Sequence, residues 1–463
     1  MRPVIETNPH RLPRTVLPNH YALELEPDLA QSSFQGQVII DIEVVEETDT
    51  IVLNAAELSI EDVQVEQGAL VQASSISFDE DLERATFAFP VVLQPGPAKL
   101  LCSFTGTLND KLRGFYRSTW TDEEGAEKVI ATTQFESTNA RRAFPCFDEP
   151  DLKASFGVTL RVDRSLMAIS CGELVSSTDL ADGRREDRFA DTMVMSTYLV
   201  AFIVGELEAT EAVDVDGVPL RIVHVPGKGD LTQFALEAGE FSLRWLVEYY
   251  DIPYPAGKLD LVAVPDFAFG AMENLGCVTF RETLLLADPQ RSTQTEMTRI
   301  VDVIAHEIAH MWFGNLVTMD WWNGIWLKEA FATFMQVATT DAFRPQWRRW
   351  DGFCVERGAA FDTDSLASTR PIEFEVISPE DAEAMYDILT YEKGAAVVRM
   401  LEQFLGSSQF RSGVKHYLTS HSYANTTTTD LWDSLEHASG VPVRAAMDTW
   451  IFQGGHPVVA VEA

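Results

Sequence analysis

Apolar and polar positions alternate in short segments along the chain up to about residue 207. Gly, Pro, Asp and Asn separate these segments, of which the clearest are Tyr21–Leu25, Gln37–Val44, Thr86–Val92, Phe156–Val162 and Tyr198–Gly205. A period of two places successive side chains on opposite faces of a strand, and turn-forming residues divide one strand from the next. The pattern predicts an antiparallel β-sandwich or a saddle of sheets over residues 1–207.

From about residue 208 the apolar positions follow the period of a helix. The strongest segment is Gln294–Trp312, where Ile300, Ile304 and Ile308 fall on one stripe and Thr293 can begin a capping box. The other predicted elements are a strand at Lys258–Val264 and helices at Asp230–Tyr250, Leu327–Thr339, Leu389–Leu405, Ser407–His421 and Thr429–Ser439. The chain is therefore predicted to be a multi-domain α+β protein, with a β domain at residues 1–207 and a mainly α domain at residues 208–450.

The composition is that of an ordinary globular protein with a large excess of acid. Of the 463 residues, 35 are basic and 71 are acidic, which gives a net charge of −36. This balance weighs against binding to nucleic-acid phosphates and suits a cationic substrate. Five scattered cysteines without a C-x-x-C pair indicate free thiols in a reducing compartment. Without an apolar leader or an uncharged run long enough to span a bilayer, we expect a cytoplasmic protein with no membrane or nucleic-acid partner.

A candidate metal site lies on the strongest predicted helix, as His306-Glu307-Ile308-Ala309-His310. Two histidines four residues apart leave the same face of a helix about 6 Å apart, so one zinc ion can bind both. Glu307 lies beside them and can reach a water bound to that metal. The five-residue pattern alone also fits a surface or helix-capping pair of histidines.

Glu329 adds a third candidate ligand and narrows these alternatives. It follows His310 after eighteen intervening residues and opens a second apolar helix, close in sequence to Trp326, Leu327 and Phe331. An unpaired carboxylate is costly to bury among such side chains, and a metal ion removes that cost. Two histidines and one glutamate with an open fourth position form the ligand set of a catalytic zinc site.

Upstream of the metal helix the chain reads Phe269-Gly270-Ala271-Met272-Glu273-Asn274. Together with the H-E-x-x-H-x18-E pattern, this segment resembles the aminopeptidase N family of zinc exopeptidases, whose hallmark is G-A-M-E-N. The resemblance covers the whole chain and extends through Leu17–Tyr21, Thr133–Glu136, Ala140–Arg142, Phe144–Pro150 and Tyr391–Ala395. Several independent motifs in the same order make the match specific.

The resemblance implies a role for each matching residue. One zinc ion per chain would be bound by His306, His310 and Glu329. Glu307 would be the general base, and Tyr391 would stabilise the oxyanion. An α-amino group is mostly cationic at neutral pH, so paired carboxylates select free N-termini. The implied substrate-binding residues are the two carboxylates Glu136 and Glu273, together with Gln134, Phe269, Gly270, Ala271, Met272 and Asn274.

The resemblance also implies a thermolysin-like fold for residues 208–450 and the activity of a zinc-dependent aminopeptidase. Its partners would be peptides with a free N-terminus, and the protein would be a monomer or a weak oligomer. Relatives of this type continue into a small β-sandwich. Residues 451–463, in which Val458–Val461 alternates, are therefore expected to begin a C-terminal β-sandwich that is otherwise missing.

The sequence departs from the family pattern around the third ligand and before G-A-M-E-N. Lys328-Glu329-Ala330 stands where N-E-G is usual, and Phe269 replaces a methionine that lines the pocket for the first side chain. The replacement by Phe269 leaves open which first side chain of the substrate is preferred. Thr333, one turn beyond Glu329, is expected to donate or accept a hydrogen bond near the metal ligands.

Other functions fit parts of the same pattern. A thermolysin-like endopeptidase would share the metal site but would not need Glu136 and Glu273. An epoxide hydrolase of the leukotriene A4 hydrolase type would carry G-G-M-E-N and an aspartate eight residues before the tyrosine, where this chain has Ala271 and Glu383. A catalytically silent binding protein would have lost a ligand or the general base, and all are present.

Overall fold

A computed structural model describes residues 8–288 and 290–462. The chain folds into two compact units. The first comprises the described residues up to Gln233 together with Ala256–Asp288, and the second comprises Phe234–Pro255 with the described residues from 290 onward.

The first unit contains most of the strands, and its largest sheet has eight. Their spatial order is Leu174–Asp179, Arg184–Phe189, Ser155–Asp163, Val16–Asp28, Ser33–Val44, Gly96–Thr107, Ser59–Gln67 and Ala69–Gln72. Val16–Asp28 pairs antiparallel with Ser33–Val44 but parallel with Ser155–Asp163. The expected antiparallel pairing is wrong for Val16–Asp28 and Ser155–Asp163. Alternation along one segment predicts that the segment forms a strand, but it does not predict which distant strand pairs with it.

Two smaller sheets complete the part of this unit predicted as β. One has the order Met167–Ser170, Phe202–Gly205, Glu127–Gln134 and Gly114–Thr121, and the other has the order Thr48–Asn54, Arg84–Leu93 and Ser75–Asp79. The predicted strand Tyr198–Gly205 is shorter than expected, because Thr197–Leu199 forms a 3-10 turn before Phe202–Gly205. A continuous buried apolar run does not distinguish these two conformations.

A six-stranded sheet in the same unit positions the G-A-M-E-N segment. Leu259–Val264 is buried along its whole length and runs parallel to Val218–His224 and Cys277–Arg281, as is typical of strands covered on both faces. Ala271–Met272 pairs antiparallel with Cys277–Arg281. The remaining strands of this sheet are Glu208–Ala209 and Val213–Val215.

The second unit is mainly helical. Its α-helices in chain order are α1 (Gln233–Tyr250, in this unit from Phe234), α2 (Gln294–Ala309), α3 (Trp326–Phe343), α4 (Arg349–Asp364), α5 (Pro379–Glu383), α6 (Gly394–Leu405), α7 (Ser407–Ser420), α8 (Thr428–Ser439) and α9 (Val443–Ile451). A two-stranded sheet joins Thr318–Met319 to Asn425–Thr426. The expected α+β class, with a β-rich first part and a helical second part, is confirmed.

The predicted capping box at the start of α2 is present. Thr293 Oγ1 accepts a hydrogen bond from the backbone of Glu296 at 3.3 Å, and the Glu296 carboxylate accepts one from the backbone of Thr293 at 2.7 Å. The side chains of Ile300, Ile304 and Ile308 are buried. The helix therefore starts where the sequence predicts and presents the predicted apolar stripe to the core.

The predicted helix Leu389–Leu405 consists of two pieces. Leu389–Lys393 is a π-helical turn, and α6 follows it directly. A Cβ atom on Gly394 would lie 2.7 Å from the Cβ of Ala330 in α3, so glycine allows the start of α6 to approach α3 closely. The π-helical turn is consequently held against α3.

Sequence periodicity missed α4, α5 and α9. In α4 only Arg349, Phe353, Ala360 and Asp364 are buried, so its apolar stripe is too weak to predict a helix. The predicted strand Val458–Val461 has no strand conformation in the structure, and Val458 and Val459 are largely exposed. A single strand gains its hydrogen bonds only from a partner strand.

The domain boundaries at residues 207 and 450 stay a prediction. The compact units divide the chain differently, because the six-stranded sheet keeps Leu259–Val264 and Cys277–Arg281 with the first unit. Within residues 8–288 and 290–462, no helix combines the length and apolar character that a membrane crossing requires.

Candidate metal centre

Helices α2 and α3 bring the three predicted ligands together in the second unit. The Nε2 atoms of His306 and His310 lie 3.2 and 3.4 Å from the same carboxylate oxygen, Oε2 of Glu329. All three side chains are buried or nearly so, and their ligand atoms lie within 4.8 Å of one another. The spacing along two helices therefore produces one compact cluster of two imidazole nitrogens and a carboxylate oxygen.

The other nitrogen of each imidazole faces an oxygen of the protein. His306 Nδ1 lies 3.1 Å from Oε1 of Gln336, and His310 Nδ1 lies 2.9 Å from the carbonyl oxygen of Phe313. A carbonyl oxygen only accepts hydrogen bonds, so each Nδ1 donates. In the neutral imidazole the lone pair is then on Nε2, which points at Glu329.

This arrangement fits a bound cation. Two nitrogen lone pairs and a carboxylate oxygen repel one another at such short separations unless a positive charge lies among them. Neutral imidazoles held through Nδ1–H and one carboxylate are the ligand types that zinc binds, and second contacts of this kind fix the orientation of zinc-binding histidines. The residues present therefore fit the zinc ion that the sequence predicts.

Glu329 is held in its charged form. Burial raises the pKa of its carboxyl, but neighbouring positive charge, first that of the Lys328 ammonium, outweighs burial, so the pKa lies well below its usual value. Lys328 Nζ lies 3.2 Å from Oε1 of Glu329. The ligand is thus ready to bind a cation at neutral pH without first losing a proton.

The predicted general base and the predicted tyrosine also lie in this unit. Glu307 is buried in the last turn of α2, directly after His306. Tyr391 lies on the π-helical turn, and its ring centroid is 6.0 Å from that of His306, with the ring planes 25° apart. π-Helical turns are frequent at functional sites because they place a side chain out of helical register.

The predicted amine-binding carboxylates come together in the first unit. Glu136 lies just beyond the strand Glu127–Gln134, and Glu273 follows Ala271–Met272. Both side chains are buried, and their carboxylate oxygens lie within 4.8 Å of each other. Two buried carboxylates at this distance repel each other and are stabilised by a cation between them.

The other predicted substrate-binding residues lie in the same unit. The amide of Gln134 donates to the sulfur of Met272 at 3.5 Å. Phe269 is 41% exposed, which leaves its ring available to a ligand. The carbonyl of Gly270 accepts a hydrogen bond from the backbone of Arg281, and Ala271 pairs with Phe280 in the sheet.

Asn274 serves the scaffold of this segment. Its side-chain oxygen accepts a hydrogen bond from Thr279 Oγ1 at 3.2 Å, and its nitrogen donates to the carbonyl of Val200 at 3.4 Å. Lys258 Nζ donates to the carbonyl of Gly276 at 2.7 Å. The part of the segment that directly follows Glu273 is therefore fixed by buried hydrogen bonds. The predicted contact of Asn274 with substrate stays a prediction.

Sequence reasoning missed Gln336 and expected Thr333 in its place. The hydroxyl of Thr333 is buried, and it makes no hydrogen bond with the described residues. Gln336 lies seven residues after Glu329, which is two helical turns along the same face of α3. That spacing could have identified Gln336 as a residue near the metal ligands. Its side chain is longer than that of Thr333 and reaches His306.

Comparison with known proteins agrees with this geometry. The sequence matches the Peptidase family M1 domain over residues 234–450 and the Peptidase M1 N-terminal domain over residues 17–199. The puromycin-sensitive aminopeptidase of Caenorhabditis elegans is 44% identical over 455 residues, which cover 97% of this chain and 48% of that protein. Aminopeptidase M1 of Arabidopsis thaliana is 42% identical over 458 residues, or 98% of this chain and 52% of that protein.

The alanine/arginine aminopeptidase of Saccharomyces cerevisiae is 40% identical over 457 residues, covering 97% of this chain and 53% of that protein. The chain thus spans about half the length of these relatives. The predicted family resemblance is confirmed, and the cluster of His306, His310 and Glu329 is consistent with the zinc site of such peptidases. With both family domains matched in order, the chain belongs to peptidase family M1.

Proposed function

We propose that the protein is a zinc-dependent aminopeptidase that releases N-terminal residues from peptides. The observation that carries this proposal is the convergence of His306 Nε2 and His310 Nε2 on one oxygen of Glu329. These three residues would bind one zinc ion per chain. When bound, zinc polarises the carbonyl of the scissile peptide bond and makes water more acidic.

The protein's own residues would handle the protons. Glu307 would accept a proton from the attacking water at its carboxylate and deliver it to the nitrogen of the leaving amine. Tyr391 would donate a hydrogen bond from its hydroxyl to the developing oxyanion. The position of Glu307 supports this role, because its buried carboxylate follows His306 directly in α2 and so lies beside a ligand of the proposed metal site.

Glu136 and Glu273 would bind the α-ammonium group of the substrate. Two buried carboxylates within 4.8 Å of each other suit a cation that donates several hydrogen bonds. An acetylated N-terminus carries no charge and donates fewer hydrogen bonds, so it would bind to this pair more weakly. This requirement for a free amine would make the protein an exopeptidase.

The remaining expectations belong to the same proposal. The names of the relatives support peptides as substrates, and the exposed ring of Phe269 would contact the first side chain. The five cysteines are free thiols, four of them buried, which supports a reducing compartment such as the cytoplasm. We propose a monomer or a weak oligomer.

A panel of aminoacyl arylamides, assayed before and after removal of metal with a chelator, tests the proposal. We expect hydrolysis that is lost with the metal and restored by zinc. Each peptide substrate should be compared with its N-acetylated form. Equal cleavage of both forms would favour an endopeptidase, and zinc binding without any hydrolysis would favour a silent binding protein.

A further inference from the structure

Lys328 is a buried cation in direct contact with a predicted metal ligand. Its Nζ atom lies 3.2 Å from Oε1 of Glu329, and the two side chains are only 2% and 3% exposed. Glu329 Oε2, the other oxygen of the same carboxylate, faces the two imidazoles. The carboxylate is therefore shared between an ammonium group on one side and the metal-binding cluster on the other.

Helix geometry alone does not produce the contact between Lys328 and Glu329. Adjacent residues on a helix point about 100° apart, so the charged ends of Lys328 and Glu329 meet only if the lysine chain turns toward its neighbour. Gly314 leaves room for this turn. A Cβ atom on Gly314 would lie 3.3 Å from Cδ of Lys328 and 3.4 Å from Nδ1 of His310, and the residue adopts a φ of +121° that favours glycine.

The ammonium group affects the site differently with and without a bound dication. Without metal, Lys328 is a fixed countercharge for a carboxylate that burial would otherwise destabilise. With a dication bound at Oε2, the same ammonium group repels the metal and withdraws charge from its ligand. For an ionised Glu329, both effects favour the metal-free protein relative to the loaded protein.

We propose that Lys328 is a built-in counter-ion that keeps the ligand cluster assembled without metal and lowers its affinity for zinc. The proposal rests on the proposed zinc site and adds a residue that sets the affinity of that site. Lys328 is a positioning residue here, because it acts on the metal through Glu329. Lys328 also stands at the position where an asparagine is usual in the family.

Zinc affinity of the metal-free protein tests the proposal directly. The dissociation constant would be measured by competition with a chromogenic chelator for the unchanged protein and for Lys328→Met and Lys328→Asn. Because removal of the ammonium group removes its repulsion of the dication, we expect zinc to bind about 10- to 100-fold more tightly to both variants. Zinc should also raise the unfolding temperature of each variant by more than it raises that of the unchanged protein.

Lys393→Met is the matched control. Lys393 is a second buried lysine of the same unit, and its Nζ pairs with Asp364 at 2.8 Å instead of with a metal ligand. Its loss should leave the zinc dissociation constant within about threefold of the original value. The proposal is overturned if the Lys328 variants bind zinc equally or more weakly, or if Lys393→Met tightens binding as much. Absence of zinc binding by the unchanged protein would instead overturn the proposed function.

Discussion

The side-chain oxygen of Gln336 lies 3.1 Å from Nδ1 of His306, on the opposite side of the imidazole from Glu329. This contact fixes both the tautomer and the direction of the ring. We predict that Gln336→Leu weakens zinc binding about 10- to 100-fold without loss of the fold. Chelator competition measures the affinity, and circular dichroism checks the fold.

The same substitution at Gln346 is a suitable control, because Gln346 is exposed and lies beyond the end of α3. Gln346→Leu should leave the zinc affinity unchanged. If Gln336→Leu behaved in the same way, the hydrogen bond to His306 would have no part in binding the metal.

Glu307→Gln should retain zinc and lose turnover. The amide keeps the size of the carboxylate but cannot accept a proton, so kcat should fall by a factor of about 10²–10⁴. Metal content and kcat would be measured on the same preparation. A variant that retained both zinc and full kcat would exclude Glu307 as the general base.

Tyr391→Phe should lower kcat with little change in KM. The hydroxyl would bind the oxyanion, which exists only after the attack on the carbonyl has begun, so its loss affects the transition state and not substrate binding. Steady-state kinetics on one arylamide substrate measure both constants. A rise in KM alone would assign Tyr391 to ground-state binding.

Glu273→Gln and Glu136→Gln should each weaken the binding of substrates and inhibitors that carry a free amine. Each variant would leave only one of the two carboxylates to pair with the α-ammonium group of the substrate. We therefore expect kcat/KM to fall by about tenfold or more. Inhibition constants of a simple amine provide a readout independent of turnover. Unchanged inhibition in both variants would contradict the assignment of the α-ammonium site.

Glu392, next to Tyr391, should make stability depend on pH. Burial, with smaller contributions from Glu356 and Asp387, raises the pKa of its carboxyl to about 7. The unfolded value is about 4.3. The folded state thus binds the proton of Glu392 more tightly than the unfolded state does. The resulting gain in the free energy of unfolding is fully present below pH ~4 and is lost as the pH rises toward 7.

Glu392→Gln removes this titration. We expect the variant to be more stable than the original protein at pH 8, by about 1–3 kcal/mol, and the difference to shrink as the pH falls toward 4. Denaturant unfolding at several pH values would measure it. Glu375→Gln, at an exposed carboxylate, is the control. A constant difference across this pH range would argue against the raised pKa.

Local sequence patterns determined much of the fold. Alternation predicted strands at Tyr21–Leu25 and Gln37–Val44, which lie within the observed strands Val16–Asp28 and Ser33–Val44. The capping box fixed the start of α2 at Gln294. These patterns work because each depends on residues within a few positions along the chain. The parallel partner of Val16–Asp28 was not predicted, because the pairing with Ser155–Asp163 depends on residues that are distant in sequence.

The candidate zinc ligands were also predictable from local information, since the spacing of His306, His310 and Glu329 follows from helix geometry and the family motif. The contacts that support these three residues could not be predicted in the same way. The hydrogen bond of Gln336, the ammonium of Lys328 and the space left by Gly314 depend on how α2 and α3 pack and on where flexible side chains end. No local pattern encodes those distances, because they are set by contacts between segments that meet only when the chain is folded.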